Sequence, residues 1–159
     1  MNSSSQKLNL EALLNSYDTN GSIIKLDNYV SELGAYGEDL ERLSDEQKQF
    51  FFNQNLEREV NNGGFNQYFF NSTGEFAHET LDSLKSIGAL TTAEILQNAI
   101  NEFPNGNVPK DRAKRIETLN SIEEKADEVW EELDQKFFAY EDNLNDLNLE
   151  FVRRNKDRF

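Results

Sequence analysis

Apolar residues recur at spacings of three and four along almost the whole chain, and nowhere do they alternate. Leu10, Leu13, Leu14 and Tyr17 form a first short stripe, and Asp18-Thr19-Asn20-Gly21 reads as a turn after it. Ile23, Leu26, Tyr29, Val30 and Leu33 form a second stripe, which Gly34 and Gly37 interrupt. Ser44 with Gln47 three residues on makes a capping box. The helix it opens carries Phe51 and one face of Phe52, Leu56 and Val60. Asn62-Gly63-Gly64 is expected to break that helix, and Phe65, Tyr68 and Phe69 to restart a short aromatic one ending near Gly74.

The second half continues in the same period. Ala77, Leu81, Leu84 and Ile87 predict a helix across 75–88, with Gly88 as a left-handed terminator. Thr91 or Thr92 is expected to cap the next helix, with the stripe Ile95, Leu96, Ala99, Ile100 and Phe103. Pro104-Asn105-Gly106 ends it, and Pro109 with Asp111 prepares the longest helix, read as 111–140. Its seam is Leu119, Ile122, Ala126, Val129, Trp130, Leu133 and Phe137. Asn143 caps a last helix. The fold class is therefore all-α: a disordered Ser-rich tail over 1–7, then one globular domain over 8–159 with seven or eight helices.

Composition narrows the function classes. Leu, Ile, Val and Phe supply 42 of 159 residues, enough for a core. There is no cysteine, so disulfides and thiolate chemistry are excluded. No apolar run approaches the ~18 residues of a membrane helix, and the expected compartment is the cytoplasm. His78 is the single histidine, too isolated for a two-histidine metal site or relay. Gly63-Gly64 has neither phosphate-loop nor dinucleotide spacing. We nominate no catalytic residue, no metal site and no cofactor.

Charge changes the picture most. Thirty acids against 16 bases give a formal net charge of −14. Such a chain repels nucleic acid and anionic membranes and attracts basic surfaces. In the long helix, Glu117, Glu123, Glu124, Asp127, Glu128, Glu131 and Asp134 fall on one side of the seam. At 100° per residue, Lys125, Glu132 and Lys136 fall on the other side. Like charges three or four apart cost a helix stability. The acid flank is either a solvated face or a strip for a cationic partner. Bases gather elsewhere, at Lys110, Arg112, Lys114 and Arg115 and at Arg153, Arg154, Lys156 and Arg158.

The stretch from Glu59 to Asn71, Glu-Val-Asn-Asn-Gly-Gly-Phe-Asn-Gln-Tyr-Phe-Phe-Asn, resembles the signature of the small bacterial DNA-mimic protein family. Leu84 to Ala89, Phe103-Pro104, Val108-Pro109, Arg112, Arg115, and Leu133-Asp134 with Phe137 and Phe138 follow in matching order. The resemblance spans about 45–155. It implies an all-α fold, a homodimer, and an acidic surface that imitates duplex DNA. The implied partner is a basic DNA-binding protein such as a transcription factor or nucleoid protein, without direct nucleic-acid or membrane binding. An alternative reading is an accessory or immunity-type binding protein without mimicry, using an aromatic-amide pocket around Gly64, Asn66, Gln67 and Tyr68.

Overall fold

The computed structural model describes residues 8–159. The expected tail over 1–7 lies outside the described residues. Seven α-helices follow in order: α1 Leu10–Leu14, α2 Thr19–Leu33, α3 Asp45–Phe70, α4 Ala77–Ser86, α5 Leu90–Ile100, α6 Arg112–Phe138 and α7 Leu144–Arg154. No strand occurs among the described residues. The all-α class is as the periodicity gives it.

Caps explain most boundaries. Ser44 closes both halves of its capping box with Gln47, and Asp111 and Asn143 accept from backbone amides at the starts of α6 and α7. Gly88 takes the left-handed conformation, φ +83, that ends α4. Helix α4 starts later than expected, because Ser72–Phe76 is a tighter helical turn. The threonine cap of α5 is not formed. Asp142 reaches in from the α6–α7 loop instead, and accepts from Thr92 N at 2.7 Å and Thr92 Oγ1 at 2.9 Å.

The expected break at Asn62-Gly63-Gly64 is a kink inside one helix. Gly63 and Gly64 leave helical geometry (φ −159, ψ 19 and φ 72, ψ −174), and α3 continues on a new axis. The core falls into two clusters along α3, and Leu56 and Val60, before the kink, already belong to the second. Beyond the kink, Phe65 and Phe69 pack with α4, α5 and α6 around Trp130, which donates to Ala99 O at 3.1 Å. The Phe69 ring sits 4.8 Å from Phe103 and 5.3 Å from Trp130. Before the kink, Phe50, Phe51 and Phe52 pack with Leu14, Ile23, Leu26 and Val30 from α1–α2 and with Leu149 and Val152 from α7. Tyr17, read as part of the first stripe, is fully exposed because α1 stops at Leu14.

Candidate partner-binding face

Helix α6 lies along the second arm of α3 and runs antiparallel to it. Contacts pair Phe65 with Asp134, Asn66 with Asp127 and Phe69 with Trp130. Leu119, Ala126, Trp130, Leu133 and Phe137 of α6 are buried, with Ile122 and Val129 packed partly against them. That seam turns the acid flank outward. Glu117, Glu123, Glu124, Asp127, Glu128 and Glu131 are all exposed.

These carboxylates have no cationic partner among the described residues. The ion pairs found there join Asp39 to Arg42, Glu41 to Lys48, Asp27 to Arg58, Glu79 to Lys110, Glu150 to Arg153, Glu11 to Lys156 and Glu46 to Arg158. None draws on α6. Seven bases are used in these pairs, three of them in the C-terminal helix and its tail. Among the described residues, only Asp127 of the outward acids has a polar contact, accepting from Asn66 Nδ2 at 3.2 Å.

Asp134 departs from the other six. It is half-buried, and its Oδ1 accepts from Phe65 N at 2.8 Å. Phe65 opens the second arm of α3, so Asp134 caps a helix start from another helix. Burial pushes its carboxyl above the ordinary range, the amide hydrogen bond opposes this, and Glu131 adds to it.

The signature stretch holds the two arms together. An ideal Cβ on Gly64 would lie 2.2 Å from Asp134 Oδ2, and one on Gly63 would lie 2.0 Å from Gln67 Oε1. Gln67 Nε2 and Asn71 Nδ2 both donate to Glu59 Oε2 at 2.8 Å, which ties the residues on either side of the kink. Tyr68 is buried and its hydroxyl donates to Thr80 Oγ1 on α4 at 3.2 Å. Burial pushes that hydroxyl far up. Thus Gly64 and Asn66 face α6, Gln67 faces back along α3, and Tyr68 faces α4. The four residues do not converge on one opening.

Arg115 is a structural residue that its local sequence does not mark. Expected in a surface basic cluster, it is fully buried. Its Nε donates to Phe69 O at 2.8 Å, Nη1 to Pro109 O and Lys110 O at 2.9 Å each, and Nη2 to Asn71 O at 3.1 Å. Gly74 makes room for it: a Cβ there would approach Arg115 Nε to 2.9 Å. Lys110 pairs with Glu79, and Arg112 lies over the Phe70 ring at 5.7 Å. Three of the four bases gathered at 110–115 thus make separate contacts, and Lys114 is exposed. His78 is also committed, its Nε2 accepting from Val108 N at 3.1 Å. No cluster of three or more metal-ligating side chains, and no helix long and apolar enough to cross a membrane, occurs among the described residues.

Fold and face together define a small helical protein whose longest helix presents an acidic flank without a cationic partner among the described residues. The family model described as DMP19-like protein matches residues 41–155. The chain belongs to this family, whose name stands for DNA mimic protein 19. No curated protein and no solved structure matches the chain. The matched span begins after α1 and α2, which pack onto it through α3 and α7.

Proposed function

We propose that this chain is a non-enzymatic interaction protein that uses the outward flank of α6 as a DNA mimic. Its target is the DNA-binding surface of a basic protein, a transcription factor or nucleoid protein. The observation that carries the reading is the set Glu123, Glu124, Asp127, Glu128 and Glu131, exposed and without a cationic partner among the described residues. At 1.5 Å rise per residue these five charges span about 12 Å, roughly one per 3 Å. One strand of duplex DNA carries about one per 3.4 Å. Family membership supports the same reading.

The test has two parts. The chain is immobilised at low salt, exposed to extract of its source cells, and the retained proteins are assayed for DNA binding with and without the free chain. We expect a retained DNA-binding protein that releases its DNA when the chain is added, with an affinity that falls as salt rises. The quadruple variant Glu124→Lys, Asp127→Lys, Glu128→Lys, Glu131→Lys should fold and retain none of it. Unchanged capture by the folded variant overturns the assignment to this face.

A further inference from the structure

A cleft of about 180 Å³ opens where α2 meets α3 and the start of α7, and none of its lining residues belongs to α6. Three charged side chains line it: Asp27 on α2, and Glu57 and Arg58 on α3. Asp27 and Arg58 pair with each other at 2.5 Å. Glu57 has no cationic partner among the described residues, so the cleft keeps one negative charge in excess.

The two oxygens of Glu57 differ. Oε1 accepts from the Tyr140 hydroxyl at 3.0 Å, and that hydroxyl accepts from Asn61 Nδ2 at 2.6 Å. Oε2 has no hydrogen-bond partner among the described residues, yet it is not one of the side-chain atoms sealed from solvent. It is therefore an accessible acceptor on a side chain that lines the cleft. Burial pushes the Glu57 carboxyl above its usual range, and the Asp27 charge adds to this. A cation beside Oε2 would offset both effects.

The remaining lining selects the kind of cation. Ile24, half-exposed on α2, gives an apolar wall, and Asn145 gives a side-chain amide whose oxygen can accept. A primary ammonium carries three N–H donors on a carbon stem, and so matches both. A divalent metal takes about six or more oxygen ligands, and no cluster of three or more metal-ligating side chains occurs among the described residues. The cleft is below the ~300–1,000 Å³ typical of drug-sized ligands, which keeps the stem short.

We propose that this cleft binds a compact aliphatic primary amine, its ammonium donating to Glu57 Oε2 and the Asn145 side-chain oxygen and its alkyl stem lying on Ile24. The site is independent of the acid flank of α6. Its α2 wall lies outside the family-matched span, and its α3 and α7 walls lie inside it.

The test titrates butylammonium, butanol and magnesium chloride separately into the full isotope-labelled chain, followed by NMR. Salt is held at about 150 mM, which screens diffuse attraction to the acidic surface. We expect butylammonium alone to give saturable shifts at the Asn61 and Asn145 side-chain amides and at the Ile24 backbone amide. Glu57→Gln keeps the side-chain volume and an oxygen for Tyr140, and should weaken binding by about tenfold or more, the loss expected for one charged contact. Ile24→Asn, at an exposed position, should weaken it as well. Glu132→Gln, an exposed acid outside the cleft, should leave it unchanged. Absence of a saturable shift overturns the proposal, as does equal saturation by butanol or magnesium. So does undiminished binding by the folded Glu57→Gln or Ile24→Asn chain, or a loss in Glu132→Gln equal to that in Glu57→Gln.

Discussion

The carboxylate of Asp134 occupies the space that any side chain at position 64 would need. Its Oδ2 stands 2.2 Å from where a Cβ on Gly64 would be, while its Oδ1 holds the amide of the next residue, Phe65. Gly64 also sits at φ 72, ψ −174, a region open in practice only to glycine. One contact thus ties the kink of α3 to the register of α6.

Two substitutions separate the halves of that contact. Gly64→Ala should cost at least about 1–3 kcal/mol from backbone strain alone, before the clash with Asp134 is counted. Asp134→Ala should cost about 0.5–2 kcal/mol, the usual range for a lost helix cap. Urea denaturation followed by circular dichroism checks both. If Asp134→Ala leaves stability unchanged but abolishes partner capture, Asp134 belongs with the outward acids and not with the clasp.

Arg115 gives the second prediction. Its guanidinium serves four carbonyls from two loops and the end of α3. Arg115→Met keeps the apolar stem and leaves those carbonyls without their charged donor. Hydrogen bonds to charged groups contribute about 1.5–3 kcal/mol each when singly removed, and they do not add independently. A loss of about 3 kcal/mol or more is expected, read as a lower urea midpoint with an unchanged m-value. Arg115→Lys should recover only part of it, because an ammonium cannot span the same fork. A neutral Arg115→Met would show that water replaces the guanidinium.

These two residues also mark where the sequence stops being legible. Helix positions followed from local spacing, because a 3.6-residue period and a Ser44–Gln47 box are written within a few residues. The outward direction of Glu124, Glu128 and Glu131 follows from the same geometry, given Ala126 and Trp130 on the buried seam. Asp134 lies 69 positions from the amide it caps, and its place on the acid flank gives no hint of that partner. Arg115 sits among Lys110, Arg112 and Lys114, where a charge reads as solvated, and only the chain path folds Phe69 and Asn71 over it. The α5 cap from Asp142 crosses 50 positions and displaces a local threonine candidate. Long-range polar contacts decided these three differences, and apolar periodicity decided none of them.

The third prediction concerns pH. Burial raises the Glu57 carboxyl above its ordinary value of 4.5, the Tyr140 hydrogen bond opposes this, and the Asp27 charge adds to it. A raised folded pKa means that the native state holds the proton more tightly than the unfolded chain. The stability this contributes is full below pH 4.5 and is lost as pH rises through the folded value. Glu57→Gln imitates the protonated form and keeps an oxygen for Tyr140. It should be more stable than the native chain at neutral pH, with the difference closing as pH falls toward 4.5. Urea titrations at several pH values measure it. An advantage that widens on acidification would contradict the assignment.

The last prediction links the acid flank to stability. Glu124 and Glu128, Asp127 and Glu131, and Glu128 and Glu131 stand four, four and three positions apart, exposed and without cationic partners among the described residues. Like-charged pairs at these spacings cost an isolated helix about 0.2–0.5 kcal/mol each. Raising the salt from about 10 mM to about 150 mM shortens the screening length from ~30 Å to ~8 Å and weakens that repulsion. The native chain should therefore gain stability with salt. The triple variant Glu124→Gln, Glu128→Gln, Glu131→Gln should start more stable at low salt and respond less. A mimic needs this arrangement, since a flank neutralised by its own lysines would offer nothing to a basic partner. The variant should thus be the more stable protein and the weaker binder. If it loses stability instead, those carboxylates hold the fold together, and their value to a partner is not the reason for their placement.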